Sequence, residues 1–263
     1  MNKDRPLWAW AFFGVAVLLK QPAAAMMPVL LVLSYRRYGW RTAFDGLLVL
    51  AIMWLAVSLP FIMGSGLKDA LTPYTAASDA FPYMTNNAFN IWYAAATLHK
   101  GAPLVVFEPG LSDAQLMFNV IKYKTVGLGL LMGYALLISA VMWKRPHARL
   151  EFVWATALFW DFFLLPTQDH ERYLYPGAVL ILIAVAQEPR LLWVGLVAIV
   201  TFTYNILAVV FPLNWPELTL GINYWAVPIS ILNIILLMAI TYYVLTPHLS
   251  RDETVPKPLM ATG

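Results

Sequence analysis

Residues 43–62 read AFDGLLVLAIMWLAVSLPFI, twenty positions with a single charged side chain, Asp45. A helix needs about 20 mostly apolar residues to cross the hydrocarbon core of a bilayer. The whole chain has the same character, because 61% of its 263 residues are hydrophobic and 12% are charged, whereas soluble domains carry roughly 25% charged residues. The sequence therefore predicts an all-α, polytopic membrane helix bundle, and it excludes a soluble domain, a coiled coil and a disordered chain.

Seven apolar segments predict about seven transmembrane helices. The fifth is the shortest, and it needs the residues just before it to approach spanning length. An alternative is that the fourth and fifth segments form one re-entrant helical hairpin. The predicted spans are Leu7–Tyr35, Ala43–Ile62, Thr125–Trp143, Leu150–Pro166, Gly177–Ala186, Leu191–Phe211 and Trp225–Leu245.

Basic residues in short loops predict which end of each span is cytoplasmic. They follow the first, third and fifth spans, at Arg36–Arg41, Lys144–Arg149 and Arg190. If those loops are cytoplasmic, the N-terminus is outside and the C-terminus is inside. We therefore expect residues 1–246 to be a single transmembrane domain and residues 247–263 to be a disordered cytoplasmic tail.

The first apolar segment also imitates a secretory signal peptide. Lys3 and Arg5 precede the apolar run, and three alanines follow at residues 23–25, as they do before a cleavage site. Against cleavage, a second apolar run begins at once, so that a truncated helix would remain. Both interpretations stay open, as does a third in which Met1 lies inside a larger reading frame.

A long outer loop, residues 63–124, is too rich in aromatic side chains to be disordered. Apolar residues from Phe81 to Ala95 recur at steps of three and four, which predicts an amphipathic helix that lies at the membrane surface or plugs the bundle. The segment Ser112–Gln115 has the pattern of a capping box, which predicts a second helix that continues through Lys122 into the third span.

The sequence contains few motifs for metals or other cofactors. It has no Cys, and its four His residues are not spaced as metal ligands. A divalent metal would therefore lack a ligand set in this chain, and no cofactor is predicted. A net charge of +3 gives no reason to expect nucleic acid as a partner. Gly129 and Gly133 form a small-xxx-small pair, which predicts close packing of the third span against another helix.

Lys20 stands near the middle of the first predicted span, and Gln21 and Pro22 follow it. A cation at mid-membrane costs roughly 3 kcal/mol on insertion scales, and Pro22 frees a backbone carbonyl because it interrupts the helix. We expect such a lysine to face protein, water or an anion. The alternative is that Lys20 snorkels to the surface or pairs with Asp161 of the fourth span.

The outer turn at residues 167–176 carries more charge than a turn requires. Arg172 has the planar fork of donors that clamps a phosphate. His170 can donate to a phosphate or move a proton, and Asp169 and Glu171 can orient either group or bind sugar hydroxyls. The alternative is a turn whose charges only neutralise one another.

Taken in order, these elements resemble the multi-spanning GT-C glycosyltransferases that use polyprenyl-phosphate sugars. The turn HERYLYP at residues 170–176 is similar to the His-Glu-Arg/Lys outer turn of bacterial relatives of the GPI-anchor second mannosyltransferase, and the dolichyl-phosphate-glucose glucosyltransferases have a similar turn. The KQP at residues 20–22 is similar to the family's Lys-Gln element, and Pro82–Trp92 resembles its outer Asn-x-Trp segment. The resemblance covers roughly residues 7–186.

The resemblance implies a membrane glycosyltransferase, or its C-terminal portion, that transfers a hexose, with mannose favoured. The donor would be a polyprenyl-phosphate sugar, and a lipid or glycan would accept the hexose on the outer face of the bacterial plasma (inner) membrane. Full members of the family have a longer N-terminal half, whose first outer loop carries the Asp that acts as base or metal ligand. That loop has no counterpart before Lys20, so no residue here is assigned as catalytic.

Site residues follow from the same resemblance and from the turn chemistry. Two other functions stay open: a transporter or lipid-handling protein that uses an intramembrane Lys20/Asp161 pair, and a non-catalytic subunit completed by a partner chain that supplies the N-terminal half. The predicted donor-phosphate ligands are Lys20, Gln21, His170 and Arg172, and the predicted supporting or sugar-binding residues are Asp169, Glu171, Tyr173, Asn87, Asn90 and Trp92.

Overall fold

Helices make up nearly all of the regular structure in the computed structural model, which describes residues 5–76, 81–101, 104, 111–145, 150–214 and 219–246. For residues 75, 212–214 and 219–223 it describes the backbone alone. Three short 3-10 helices lie at Gln21–Met26, Glu171–Leu174 and Pro189–Leu191, and two strands, β1 (Leu116–Met117) and β2 (Ile121–Lys122), form an antiparallel hairpin. The α-helices are α1 (Pro6–Leu19), α2 (Met27–Tyr38), α3 (Trp40–Ser65), α4 (Leu67–Ala76), α5 (Ile91–Lys100), α6 (Tyr123–Lys144), α7 (Glu151–Leu164), α8 (Tyr175–Gln187), α9 (Leu192–Asn214) and α10 (Thr219–Leu245).

Four helices, α3, α6, α9 and α10, are long and apolar enough to cross a membrane. They contain 22 to 27 residues, which at 1.5 Å per residue gives about 33–40 Å. The hydrocarbon core of a bilayer is about 30 Å thick. The chain is therefore a membrane protein, and the second, third, sixth and seventh predicted spans are confirmed as long apolar helices, whereas the count of about seven spans is not.

The first predicted span, Leu7–Tyr35, is wrong as a single crossing, because the chain reverses direction inside it. α1 ends at Leu19, Lys20 is extended, and α2 begins at Met27. Trp10 near the start of α1 donates from Nε1 to Oγ of Ser34 near the end of α2, over 2.9 Å, so the two helices run antiparallel. Pro22 supports the reversal because it has no N–H to continue the ladder of α1. Lys20 therefore lies at the tip of a helical hairpin.

The fourth and fifth predicted spans also form a helical hairpin, which is the alternative that the sequence left open. α7 and α8 contain 14 and 13 residues, about 20 Å each. α7 lies at the centre of the main hydrophobic core, and only Glu151, Phe152 and Phe162 on it are not fully buried. α8 buries one face against this core and leaves the other face exposed. The 3-10 segment at Gln21–Met26 packs on α7, so the hairpins α1–α2 and α7–α8 lie side by side.

One end of the bundle, called the basic end here, collects the short basic loops. Arg37 pairs with Glu151 at the start of α7, and Gln187 at the end of α8 also reaches Glu151. Arg145 and Arg190 donate to the backbone carbonyls of Leu245 and Thr246 at the end of α10. The prediction that these loops share one side is consistent with this arrangement.

The side that was predicted for the start of the first span is wrong. Trp10 packs so closely over Gly46 that a Cβ atom there would overlap its ring, and Gly14 meets Leu50 and Met53 further along α3. α1 therefore runs parallel to α3 and starts at the basic end, where α10 finishes. The start of α1 and the end of α10 lie on the same side, rather than on opposite sides. The predicted tail at residues 247–263 lies outside the described residues.

The predicted amphipathic helix from Phe81 to Ala95 is present only from Ile91 onward. Asn90 caps the start of α5, since its Oδ1 accepts from the backbone N–H groups of residues 92 and 93, each over 3.0 Å. Asn87 before it has a φ of 65°, which no regular helix contains. A side-chain cap of this kind ends the helical register on its N-terminal side, so residues 81–90 are extended and irregular.

The capping box predicted at Ser112–Gln115 does not start a helix. Instead the chain forms the hairpin β1–β2, and α6 begins only at Tyr123, whose N–H donates to the Gln115 carbonyl over 3.2 Å. The predicted packing role of Gly129 and Gly133 is also not observed, because a Cβ atom on either would meet nothing within 4 Å in the described chain. Gly127, one turn earlier, makes the close contact described below.

Candidate functional site

The tips of the two helical hairpins meet at the end of the bundle opposite the basic end. Nζ of Lys20, on the tip of α1–α2, lies 5.7 Å from the ring centroid of Tyr173 on the tip of α7–α8. His170, Glu171 and Arg172 occupy the same tip as Tyr173. These five residues, Lys20 and 170–173, are called the tip site. α1 and α7 are each only about 21 Å long, so the tip site lies short of the far ends of the long helices.

A cavity of about 770 Å³ runs between the two hairpins, from the tip site toward the basic end. Lys20 and Arg172 both line its mouth, and Glu151 and Phe152 line its other end. Apart from these charged residues its walls are almost entirely apolar. They include Phe13, Leu30, Leu33, Phe159, Tyr175 and Val179. The volume is within the range of small-molecule sites, and the lining combines apolar walls with two cations at one end.

The charges of the tip site do not cancel. Nη1 of Arg172 lies 3.1 Å from Oε1 of Glu171, and the Arg172 side chain is 55% exposed while that of Glu171 is 9% exposed. Lys20 is exposed, and within the described part of the chain no carboxylate lies at ion-pair distance from its ammonium group. One carboxylate therefore faces two permanent cations, which leaves an excess of positive charge at the mouth of the cavity.

His170 is held as a neutral imidazole. Its ring packs edge-on against Phe81 and Tyr173, with centroid separations of 4.9 and 5.3 Å, and Nδ1 lies 3.9 Å from Oε2 of Glu171. Burial and the Arg172 charge lower the pKa of His170, Lys20 lowers it further, and Glu171 opposes the change. At neutral pH the imidazole can therefore donate one hydrogen bond and accept another, without adding charge.

Asp113 fixes the tip of α7–α8, a role that no sequence pattern indicates. Its Oδ2 accepts from Oγ1 of Thr167 over 2.9 Å and from Nε2 of Gln168 over 2.7 Å. Asp113 is 2% exposed, so both hydrogen bonds are shielded from water. Gln168 has a φ of 71°, a left-handed conformation that costs a non-glycine residue about 1–2 kcal/mol. The surrounding hydrogen bonds hold it there.

Two predicted residues of the outer segment, Trp92 and Asn90, hold the tip of α7–α8 by hydrogen bonds. Nε1 of Trp92 donates to the Leu165 carbonyl over 2.7 Å, and Nδ2 of Asn90 donates to the Phe163 carbonyl over 3.4 Å. Trp92 is 3% exposed and Asn90 is fully buried, and neither lines the cavity. Both therefore position the tip. Asn87 is closer to the site, since it forms an isolated backbone bridge with His170.

The remaining predicted residues lie near the tip site but outside the cavity wall. Gln21 is exposed at the start of the 3-10 helix next to Lys20. Asp169 is 3% exposed, and its Oδ2 has no hydrogen-bond partner among the described residues. Burial and, second, the Asp161 carboxylate raise the pKa of Asp169 well above its usual range. This carboxyl favours its neutral form, which makes it a poor partner for either cation.

The predicted ion pair between Lys20 and Asp161 is not formed. Asp161 lies inside the core on α7 and is fully buried, and neither carboxylate oxygen has a hydrogen-bond partner in the described ranges. Lys20 is at the tip instead, where its ammonium group contacts the ring of Tyr173. The hairpin reversal explains the difference. Lys20 lies at the tip of α1–α2, whereas the prediction placed it in the middle of one continuous helix.

Two buried amides that the sequence analysis passed over connect the long helices to the site. Asn205 of α9 donates to the Asn87 carbonyl over 2.8 Å and accepts from the N–H of Phe89 over 3.0 Å. Asn233 of α10 donates to the Phe89 carbonyl over 2.9 Å. Polar side chains inside apolar spans are a signal of function or packing, and that signal was present in the sequence.

No group of three or more His, Asp and Glu side chains that could hold a metal ion occurs in the part of the chain that the structure describes. Comparison of the chain with family models, with curated proteins and with solved structures gives no match. The geometry of the tip site and its cavity is therefore the basis on which a function is proposed.

Proposed function

We propose that this protein is a membrane glycosyltransferase, or the C-terminal portion of one, that binds a polyprenyl-phosphate hexose with its phosphate at the tip site. One observation carries the proposal: Lys20 and Arg172 line the mouth of a cavity between two helical hairpins. The other lining residues are almost all apolar, and the lining carboxylate of Glu151 lies at the opposite end, paired with Arg37. Such a site suits a lipid whose headgroup is an anion. The proposed hexose is mannose, and a lipid or glycan is the proposed acceptor.

The charged mouth decides which lipid binds. A prenyl chain that leaves the bilayer for an apolar cavity gains little hydrophobic free energy, because lipid tails are as apolar as the cavity wall. Selectivity must then come from the headgroup. Charge-assisted hydrogen bonds to a phosphate contribute about 1.5–3 kcal/mol each, and Arg172 adds the fork geometry that matches phosphate oxygens.

The same cations fit the chemistry of transfer. The bond between the anomeric carbon and the phosphate oxygen breaks while the acceptor oxygen bonds to that carbon, and the acceptor proton passes to a base. The lipid phosphate leaves with increased negative charge. Lys20 and Arg172 stabilise that charge where it develops, and neutral His170 can donate a hydrogen bond to it. No residue of this chain is assigned as the base.

We further propose that the tip site faces the outside of a bacterial plasma membrane. The support is the basic end, where Arg36, Arg37, Arg145 and Arg190 lie opposite the tip site. Basic residues in short loops favour the cytoplasmic side. Donor and acceptor would then meet on the outer face.

The direct test is transfer of labelled mannose from polyprenyl-phosphate mannose to acceptors in membranes that contain the protein. We expect the Arg172→Ala variant to lose at least about tenfold in rate, because a charge-assisted contact to the leaving group is removed. The matched control is Lys68→Ala, which removes an exposed cation on α4 outside the cavity and should leave the rate unchanged. Equal rates for wild type and Arg172→Ala would contradict the proposal.

The other two functions make different predictions. A transporter that uses Lys20 with Asp161 loses its stated basis, because the two side chains do not pair in the structure. A non-catalytic subunit would co-purify with a partner chain, and donor binding would then persist without transfer by this chain alone.

A further inference from the structure

We infer that the hairpin β1–β2 is a membrane-surface anchor, whose tip at residues 118–120 inserts among anionic lipid headgroups beside the tip site. The inference does not depend on the proposed glycosyl transfer. It starts from exposure: Phe118 is 83% exposed and Val120 is 81% exposed. These are large apolar side chains on a segment that lies outside the four long apolar helices.

The turn geometry makes the two side chains protrude. The N–H of Val120 donates to the Met117 carbonyl over 3.1 Å, and Phe118 and Asn119 both have positive φ, 52° and 58°. Two successive residues of this kind form the tight hairpin turn that matches strand twist. Phe118 and Val120 therefore flank the apex, where no other part of the described chain covers them.

The position of the hairpin along the chain puts it close to the membrane. β2 ends at Lys122, and the long apolar helix α6 starts at the next residue. The first apolar residue of α6, Val126, is only four positions further on. Each strand with its half of the turn reaches about 10 Å at 3.3 Å per residue, so the hairpin apex stays within reach of the headgroup region that surrounds α6.

Charge and size both favour a lipid surface over a protein partner. Lys122 is exposed next to the apolar apex, and a cation beside inserted apolar side chains is the pattern of interfacial anchors that bind anionic lipid. Stable protein interfaces bury about 800 Å² on each partner. Two-residue strands with a three-residue loop offer far less than that, whereas a bilayer interface accepts single side chains.

The base of the hairpin is tied to the tip of α7–α8. The N–H of Lys124 donates to the Asp113 carbonyl over 3.0 Å, and the N–H of Asp113 donates to the Pro82 carbonyl over 3.1 Å. The Asp113 carboxylate in turn holds Thr167 and Gln168. An anchor at this place would therefore set the level of the tip site relative to the lipid headgroups.

Because the sequence contains no Cys, a single cysteine can be introduced and labelled at a chosen position. Phe118→Cys and Val120→Cys, each labelled with a nitroxide, are placed in liposomes that contain anionic lipid. Collision rates with oxygen, which concentrates in lipid, and with a water-soluble nickel complex are then compared. Leu136→Cys, on an exposed face of α6, gives the lipid reference, and the exposed Ala114→Cys at the base of the hairpin gives the second reference.

We expect the oxygen-to-nickel ratio at both apex positions to exceed that at position 114 by about threefold or more, because an interfacial anchor sits below the headgroup surface. Addition of Lys122→Gln should move the apex ratio back toward that of position 114 in anionic liposomes. Apex ratios equal to that at position 114 in each variant would overturn the inference. Two independent apex positions keep the test valid if one variant fails to fold.

Discussion

The hairpins α1–α2 and α7–α8 reverse direction at the same level, but they are held in different ways. The tip of α7–α8 donates hydrogen bonds to Asp113 and accepts them from Asn90 and Trp92, and α7 is buried along almost its whole length. The tip of α1–α2 is exposed at Leu19 and Lys20. The cavity between them therefore has one wall fixed by many polar contacts and one wall held mainly by apolar packing. We expect substitutions on the two sides to differ accordingly.

The largest expected effect is at Asp113, on the fixed wall. Asp113→Ala removes the charged acceptor for Thr167 and Gln168 and leaves the buried Thr167 hydroxyl without its partner. We expect the free energy of unfolding to fall by about 3 kcal/mol, measured by titration with denaturing detergent in mixed micelles. Asp69→Ala, which removes an exposed carboxylate on α4, should change it by less than about 0.5 kcal/mol. Equal losses for both variants would show that Asp113 does not fix the tip.

A steric change in α6 tests the same wall without removing a hydrogen bond. A Cβ atom on Gly127 would lie 3.0 Å from the backbone nitrogen of Thr167 and 3.1 Å from the Leu165 carbonyl oxygen. Because backbone cannot give way as a side chain can, Gly127→Ala should cost about 2 kcal/mol in the unfolding titration. Gly129→Ala, half a turn away with open space around it, is the matched control. No difference between the two would mean that the tip is not packed against α6.

The buried carboxyl of Asp169, in the tip of α7–α8, predicts how the stability of the protein changes with pH. Burial raises the pKa of Asp169 in the folded protein above its ordinary value, with Asp161 as the second cause. The folded state then binds more protons than the unfolded state, so stability falls as pH rises from about 4 toward the raised pKa. Asp169→Asn, a neutral mimic, should increase the free energy of unfolding by about 1 kcal/mol at pH 8.

That gain should shrink when the same titration is repeated near pH 3, because the wild-type carboxyl is then largely neutral in both states. Asp69→Asn is the control for the loss of an exposed acid and should show no such pH trend. A gain that is the same at both pH values would indicate that protonation of Asp169 is not its cause.

The smallest effect is expected at the tip of α1–α2. Lys20 is exposed and its described contact is the Tyr173 ring, so Lys20→Met should change the free energy of unfolding by about 0.5 kcal/mol or less. A loss as large as that of Asp113→Ala would mean that the two tips are held alike. The small value also ensures that any loss of ligand binding by this variant is not caused by unfolding.

Composition alone was enough to predict the helical membrane bundle and the four long helices, since runs such as residues 43–62 have no soluble alternative. It was not enough for residues 7–35. A run of apolar residues predicts that a segment enters the membrane, but not whether the segment crosses it or reverses direction. Here the chain reverses at residues 20–26, where Pro22 cannot continue the hydrogen bonds of α1. The spacing of apolar residues predicted a helix from Phe81 onward. Asn90 caps the start of α5, so the helix begins only at Ile91.

The candidate site shows the same limit. The charges of the turn at residues 170–173 and the lysine at residue 20 were visible in the sequence as unusual, but their proximity depends on two reversals that place both tips at one level. Asp113 was placed in a capping box and Asn205 was not singled out, because each hydrogen-bonds to a residue more than 50 positions away. Contacts over such separations leave no local pattern.

The central claim is that Lys20 and Arg172 face one lipid-borne anion. It is tested most directly by the dissociation constants of polyprenyl phosphate and of uncharged polyprenol for wild type, Lys20→Met, Arg172→Ala and the double variant. We expect each single substitution to raise the dissociation constant of polyprenyl phosphate by about tenfold or more and to leave that of polyprenol unchanged. Equal affinity of wild type for the two lipids, or polyprenyl phosphate binding unaffected by both substitutions, would contradict the claim.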